Sequence, residues 1–137
     1  MALNRVVVTG IGALTPLGNT VSEYWQGLES GISGCDFIQQ FDVSKFKTRF
    51  ACEVKNFDPT NYIDKKEARK MDRYCQFAIV ASDEAVKDAG ITKDNVNTDR
   101  VGVIFGSGIG GILTFQEEVV DRKRTRLNSS HLGISYA

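Results

Sequence analysis

Apolar runs and one alternating segment mark the strand candidates along the chain. Residues 5–8 form a β-branched run, and residues 100–105 contain a second apolar run. Uninterrupted runs of this length are typical of strands buried on both faces. Residues 45–54 alternate instead, with Phe46 and Phe50 on one face and charged side chains on the other. This alternation predicts a half-exposed strand.

Two amphipathic segments are predicted to be helices. The first opens at Thr20, which with Glu23 has the spacing of a capping box. The second covers residues 64–89, begins at Asp64 and stops at Gly90. At about 100° per residue, one stripe of this helix is rich in small side chains, which lets a neighbouring element approach closely. The stripe consists of Met71, Cys75, Ala78, Ile79, Ser82, Ala85, Val86 and Ala89.

The order of the elements indicates the fold class. Strand, helix, strand, helix and strand follow one another, and a further helical stretch begins after the last strand, which is typical of a layered α/β fold. All-apolar strands need cover on both faces, and one long and two short helices are too few to supply it. We therefore predict one partial domain, residues 1–120, with an incomplete core.

Composition narrows the class of protein. Hydrophobic residues make up 42% of the 137 residues and charged residues 25%, as in soluble globular proteins. No apolar run approaches the ~20 residues of a membrane helix, and the first residues lack the layout of a signal peptide. Cys35, Cys52 and Cys75 are widely spaced, which argues against a disulfide framework and against a metal site. We expect a cytoplasmic location and neither a metal nor another cofactor.

Residues 121–137 differ from what precedes them. They show no helical or strand periodicity, and four basic residues against one acid give them a net charge of +3. A nucleic-acid arm and a disordered terminus both fit that charge. We favour a third interpretation, because DRKRTRLNSSH resembles the translation of a sequencing adapter, with Arg124 in place of the usual serine. Residues 121–137 are then a non-native tail, and His131 has no role.

The glycine string of residues 106–111, GSGIGG, has two interpretations. Gly106, Gly108 and Gly111 match the GxGxxG pattern, which follows a strand and opens a helix in dinucleotide-binding folds. The dinucleotide interpretation also needs an acidic residue at the end of a strand about 20 residues further on. That position falls within residues 121–137, which do not continue the pattern of the preceding sequence. Glycines that allow a tight turn and close packing are the simpler interpretation.

Basic side chains gather at the start of the predicted long helix. Five of them fall on the arc opposite its apolar stripe: Lys65, Lys66, Arg69, Lys70 and Arg73. A solvated face explains them, and so does docking of an acidic partner. No catalytic constellation accompanies them, since no histidine precedes the tail. Cys52 and Cys75 fall on apolar faces, and Cys35 lies in a loop without a base nearby.

Three stretches together resemble one family. They are RVVVTGIGALTPLGNT (5–20), KKEARKMDRY (65–74) and RVGVIFGSGIGG (100–111). The family is that of the β-ketoacyl-acyl carrier protein synthases, closest to the type II elongating enzyme. The resemblance implies the N-terminal part of a thiolase-like α/β/α/β/α fold, in a homodimeric acyltransferase several times longer than this chain.

The same resemblance implies the chemistry of the parent enzyme. A cysteine at a buried helix N-terminus accepts an acyl chain from acyl carrier protein. Two histidines then assist decarboxylation of malonyl-carrier protein, and the carbanion attacks the thioester in a Claisen condensation. These catalytic residues lie beyond Val120 in the family pattern, so none is assigned in this chain. Neither a nucleic acid nor a membrane is an expected partner.

Two sites are implied by the resemblance. Acyl carrier protein is acidic, and family members meet it with basic residues that match Lys66, Arg69 and Lys70, with Lys65 beside them. Ile109, next to Gly108, matches the position that lines and gates the acyl pocket. A polyketide ketosynthase or chain-length-factor subunit and a nucleotide-binding module that uses GSGIGG stay open as alternatives.

Overall fold

The structure is a computed structural model that describes residues 5–131, with side chains as far as residue 122. Helices predominate, and the strands form a single two-stranded antiparallel pair in this part of the chain. The elements are α1 (Val21–Glu29), β1 (Asp36–Phe37), β2 (Phe50–Ala51), α2 (Lys65–Ala68), α3 (Arg73–Asp88) and α4 (Ile112–His131), with short 3₁₀ turns at Pro59–Asn61 and Thr98–Arg100.

Helix α1 begins as the sequence predicts, and a glycine motif ends it. The Thr20 hydroxyl accepts the backbone N–H of Glu23, and the Glu23 carboxylate accepts the N–H of Asn19 at 2.7 Å. At the other end Gly31 has φ of 64°, and its N–H bonds to the carbonyl of Leu28. The N–H of Ile32 reaches the carbonyl of Gly27, which completes a Schellman motif.

The predicted helix of residues 64–89 is two helices, so its prediction as one element was wrong. Asp72 has an extended backbone with ψ of 154° and caps α3 by accepting the N–H of Tyr74. The side-chain amide of Gln76 donates to the carbonyls of Ala68 and Met71 and so bridges the break, where the carbonyl of Ala68 also accepts the N–H of Met71. The predicted ends hold, since Asp64 caps α2 and Gly90, with φ of 63°, follows α3.

The small-residue stripe of α3 is approached closely, as predicted. Gly10 lies against Ala85 and Ala89 of the stripe, and Gly12 lies against Ala85 and also against Ala81, which is outside it. An added Cβ at either glycine would overlap these residues. The two most buried apolar side chains of the described residues are Ala68 and Val80, at 4% and 5% exposure. The core is therefore small and lies around α3.

The two predicted buried strands, residues 5–8 and 100–105, are not strands in the structure. No neighbouring segment of the described chain pairs with either of them, and Arg100 belongs to a 3₁₀ turn. Val6 is 89% exposed and Ile104 is 99% exposed. A strand needs a hydrogen-bonded neighbour as well as an apolar sequence, and the described residues place none beside these runs.

The predicted strand of residues 45–54 is confirmed only in its middle. Phe50 and Ala51 pair with Phe37 and Asp36, whereas residues 45–49 are irregular. Phe46 packs edge-on against Phe41 in the connecting loop, with ring centroids 5.8 Å apart. The local pairing therefore ends where this loop begins.

Residues 121–137 show no helical or strand periodicity in the sequence, yet part of this segment is helical. The backbone of α4 continues to His131, and residues 132–137 lie outside the described residues. The non-native origin of the segment stays a prediction. Within the described chain, none of the helices combines the length and apolar character that crossing a membrane requires.

Candidate functional site

An open cleft of about 490 Å³ lies where three parts of the chain meet. One wall comes from the segment after β2, which includes Cys52. A second comes from the break before α3, and the third from the glycine loop and the first turn of α4. The break that the sequence did not predict therefore contributes a wall of the cleft, through Met71, Asp72 and Arg73.

Asp72 joins two of these walls. One carboxylate oxygen accepts the N–H of Tyr74 at 3.1 Å, and the other accepts the hydroxyl of Thr114 in α4 at 2.5 Å. The Thr114 hydrogen bond, followed by that of Tyr74, lowers the pKa of Asp72 below its ordinary value. The carboxylate is thus ionised at neutral pH and holds the start of α4 against the start of α3.

The glycine loop packs against an aromatic ring. An added Cβ at Gly110 would lie 2.8 Å from the Tyr74 ring, so only glycine fits there without a shift. Gly111 has φ of 71°, and its carbonyl accepts the N–H of Phe115 at 2.9 Å in the first turn of α4. A strand before the loop is not formed, so the arrangement favours close packing over nucleotide binding.

The two residues of the implied acyl pocket occupy different places. Ile109 lines the cleft at its mouth, with 76% of the residue exposed. Gly108 is not among the lining residues, and the space beside its Cα is open. An exposed isoleucine at the mouth of an open cleft is positioned to contact an apolar ligand, but the described residues do not enclose a pocket around it.

The four basic residues of the implied docking site are all exposed. Lys65 and Lys66 lie in α2, Arg69 caps its end, and Lys70 follows in the break. We call these four residues the basic segment. In the described part of the chain, Lys70 alone among them forms an ion pair, with Glu67 at 2.7 Å. Since α2 is separate from α3, the segment is not the first turns of a long helix, as the sequence predicted.

Arg73 differs from the basic segment, although the sequence placed it on the same arc. Its guanidinium donates to the carbonyl of Val54 at 3.3 Å and lies over the Phe77 ring, 5.3 Å from the centroid. Arg73 thus ties α3 to the chain after β2. The basic segment ends directly before the three residues of the break that line the cleft.

The cysteines are arranged in a way that sequence reasoning missed. Cys35 and Cys52 are both exposed, directly before β1 and directly after β2, so the apolar face on which the sequence placed Cys52 does not bury it. The sequence carries no signal for this arrangement, because it predicts no strand at residues 36–37 to pair with residues 50–51. No three His, Cys, Asp or Glu side chains are grouped to hold a metal ion in the described residues.

Comparisons with known proteins agree on one family. The profile described as "Beta-ketoacyl synthase, N-terminal domain" matches residues 3–135. The chain is 49% identical over 83% of its length to "3-oxoacyl-[acyl-carrier-protein] synthase 2" of Synechocystis sp., and covers 27% of that protein. It is 46% identical over 90% of its length to the protein of the same description in Staphylococcus aureus, and covers 31% of it.

A solved structure is also similar. "The ishigamide ketosynthase/chain length factor" superposes with a TM-score of 0.60 and 40% identity, over 66% of this chain and 22% of that one. The chain thus spans less than a third of the proteins it matches. The mixed helices and strands and this neighbour fit an α/β fold. By profile and by identity, the chain belongs to the β-ketoacyl synthase family, in which it matches the N-terminal domain.

Proposed function

We propose that this chain is the N-terminal segment of a β-ketoacyl-acyl carrier protein synthase of the type II elongating class. The parent protein then lengthens acyl chains by decarboxylative Claisen condensation of acyl- and malonyl-carrier protein. The observation that carries the proposal is the family match over residues 3–135. Relatives 45–49% identical that are described as 3-oxoacyl-[acyl-carrier-protein] synthase 2 support this reaction class over others.

The proposed role of the basic segment is to dock acyl carrier protein. Its four cations are exposed, and Lys70 shares its charge with Glu67 across an exposed pair, which has little strength in water. An acidic partner is attracted by such a cluster over about a Debye length. The segment leads directly into the cleft wall at Met71, so a carrier docked there holds its cargo near the cleft.

The proposed role of Ile109, with Gly108 beside it, is to line and gate the acyl pocket. The position of Ile109 at the cleft mouth supports this role. Enclosure of the acyl chain would come from the longer protein, in which the thiolase-like layers, the homodimer and a cytoplasmic location are part of the same proposal.

No catalytic residue is assigned within this chain. Local desolvation, followed by the neighbouring Cys52, raises the pKa of the Cys35 thiol, which is the opposite of what an activated nucleophile needs. The single histidine of the sequence, His131, lies where side chains are not described. The nucleophile and both histidines of the reaction are proposed to belong to the remainder of the parent enzyme.

A polyketide ketosynthase or chain-length factor is the second candidate. The similarity to "The ishigamide ketosynthase/chain length factor" favours it, at 40% identity. A chain-length factor differs from the first candidate in the remainder of the protein, because a condensing enzyme needs a cysteine nucleophile there and a chain-length factor does not. Sequencing the gene past the codon for Val120 separates them.

The docking role is tested in a chimera. Residues 1–120 of this chain replace the matching segment of the Staphylococcus aureus relative, which is 46% identical. Arg69→Glu with Lys70→Glu should raise the apparent KM for carrier-bound substrates about tenfold or more, since exposed ion pairs contribute ~0.2–1 kcal/mol each and both charges are reversed. Pantetheine thioesters should be used almost unchanged, and the defect should shrink at high salt.

A matched control reverses two other exposed lysines. Lys47→Glu with Lys93→Glu makes the same change in net charge away from α2, on side chains that are also exposed. Carrier-bound substrates should be used normally by this variant. The basic segment is not a docking site if the Arg69/Lys70 variant loses activity equally with carrier-bound substrates and with pantetheine thioesters. The same conclusion follows if the two double variants lose activity with carrier-bound substrates to the same extent.

A further inference from the structure

The pairing of β1 with β2 places two cysteines opposite each other. Asp36 pairs with Ala51 and Phe37 with Phe50, so the next pair outward is Cys35 with Cys52. On the other side, the N–H of Ile38 donates to the carbonyl of Arg49 at 3.0 Å. Hydrogen-bonded and non-hydrogen-bonded pairs alternate along an antiparallel ladder. Counting from residues 38 and 49, the cysteines occupy a non-hydrogen-bonded pair.

This position suits a covalent bond between the two side chains. Cα atoms of a non-hydrogen-bonded pair lie about 4.5 Å apart, which falls at the short end of the range of about 4.4–6.8 Å found across disulfides. The Cys52 side chain lies close enough to Cys35 to contribute to the raised pKa of its thiol. Both cysteines are exposed, so an oxidant in solution reaches them without opening the fold.

We propose that Cys35 and Cys52 form a reversible disulfide that responds to a peroxide. The Cys52 thiol attacks the peroxide and becomes a sulfenic acid, with release of one water or alcohol. The second thiol then displaces the sulfenic oxygen as water and forms the S–S bond. The two sulfurs together lose two electrons and two protons, and the peroxide is reduced. A dithiol reductant restores the thiols by exchange.

The bond would act on one wall of the cleft. Cys52 lines the cleft, together with the next two residues of the chain after β2. The hairpin is held by a two-residue strand pair and a Lys55–Asp36 ion pair of 2.7 Å, in which both side chains are about half exposed. A cross-link at its open end would add a covalent bond to a wall that is otherwise held by these contacts, by the N–H of Gln39 on the Glu53 carboxylate and by Arg73 on the carbonyl of Val54. The proposal is independent of the enzyme's reaction.

Peptide mapping of the oxidised chain tests the proposal. The 137-residue chain is treated with hydrogen peroxide, its remaining thiols are alkylated, and the tryptic peptides are identified by mass. Cys35, Cys52 and Cys75 fall in peptides 6–45, 50–55 and 74–87, so each possible link has its own mass. We expect peptide 50–55 linked to peptide 6–45, with loss of the link after treatment with dithiothreitol.

Oxidation in guanidinium chloride supplies the control for an unfolded chain. Cys35 and Cys52 are 17 residues apart, and Cys52 and Cys75 are 23 apart. In an unfolded chain, loop closure alone then favours the Cys35–Cys52 link over the Cys52–Cys75 link by only about 1.5-fold. In buffer we expect at least a tenfold preference for the first link. The proposal would be overturned if the ratio of the Cys35–Cys52 link to the Cys52–Cys75 link were the same in buffer and in guanidinium chloride. It would also be overturned if both thiols were still alkylated after peroxide, or if they were over-oxidised in place of forming a link.

Discussion

At the scale of single residues, glycines decide where the chain approaches α3. Gly12 lies so close to the carbonyl of Ala81 that no Cβ fits between them. The contact is with backbone, which cannot rotate away as a side chain can. By contrast, Gly102 has open space on the side where a Cβ would point, and it has no positive φ.

The substitution Gly12→Ala should loosen α3 in the 137-residue chain. Overlap with backbone of this kind costs about 1–3 kcal/mol, so amide exchange of residues 81–89 should accelerate about tenfold or more. Gly102→Ala is the matched control and should leave that exchange unchanged. Equal exchange in the two variants would contradict the packing of Gly12 on α3.

Residues whose role is local were predictable, and residues whose role needs a distant partner were not. Thr20, Asp64 and Gly90 act on backbone within a few positions, and the structure confirms all three. Asp72 caps α3 but also binds Thr114, which is 42 positions away. Helical periodicity reports only on neighbouring positions and does not reveal a hydrogen bond to such a distant residue. The sequence therefore predicted neither the break in the helix nor the cleft wall that the break forms.

At the scale of elements, two carboxylates of α3 fasten the N-terminal segment. Glu84 accepts the N–H groups of Ala13 and Val21, each at 2.9 Å, and so holds both the segment after Gly12 and the first turn of α1. One turn further on, Asp88 accepts the N–H of Ile11 at 2.9 Å. Hydrogen bonds to a charged acceptor are stronger than neutral ones, so this face of α3 organises the elements before it.

Replacing Glu84 with alanine should release α1 from α3. Two backbone N–H groups lose a charged acceptor, which costs about 1–3 kcal/mol per group where water does not replace it. Amide exchange at Ala13 and Val21 should accelerate by at least tenfold, while α4 is unaffected. Glu29→Ala, at an exposed position, is the control. Unchanged exchange at both amides would contradict the role of Glu84.

At the scale of the whole molecule, much apolar surface has no cover in the described residues. Residues 6–8 and 103–105 are exposed, including Val8 at 81% and Ile104 at 99%. The sequence predicted these segments as buried strands, and their composition still fits that role. No neighbouring strand for these segments is found among the residues described, so the sheet is not formed there. The family could still be predicted, because its motifs depend on the sequence of these segments and not on their pairing.

The 137-residue chain should therefore lack a sharp unfolding transition. Exposed apolar segments and unpaired strand edges associate readily, and a core around α3 alone is small. We expect a broad, weakly cooperative thermal transition by circular dichroism and strong binding of an apolar fluorescent dye before heating. A sharp transition of a monomer with no dye binding would show that these segments are covered in solution.

The most direct test of the family role is the activity of the chimera with the Staphylococcus aureus relative. We expect the chimera to condense acyl- and malonyl-carrier protein at a rate within about tenfold of the relative, whereas we expect no product from the 137-residue chain alone. Thermal unfolding of the chimera establishes first that it is folded. A folded chimera that forms no condensation product, or product formation by the chain alone, would contradict the account.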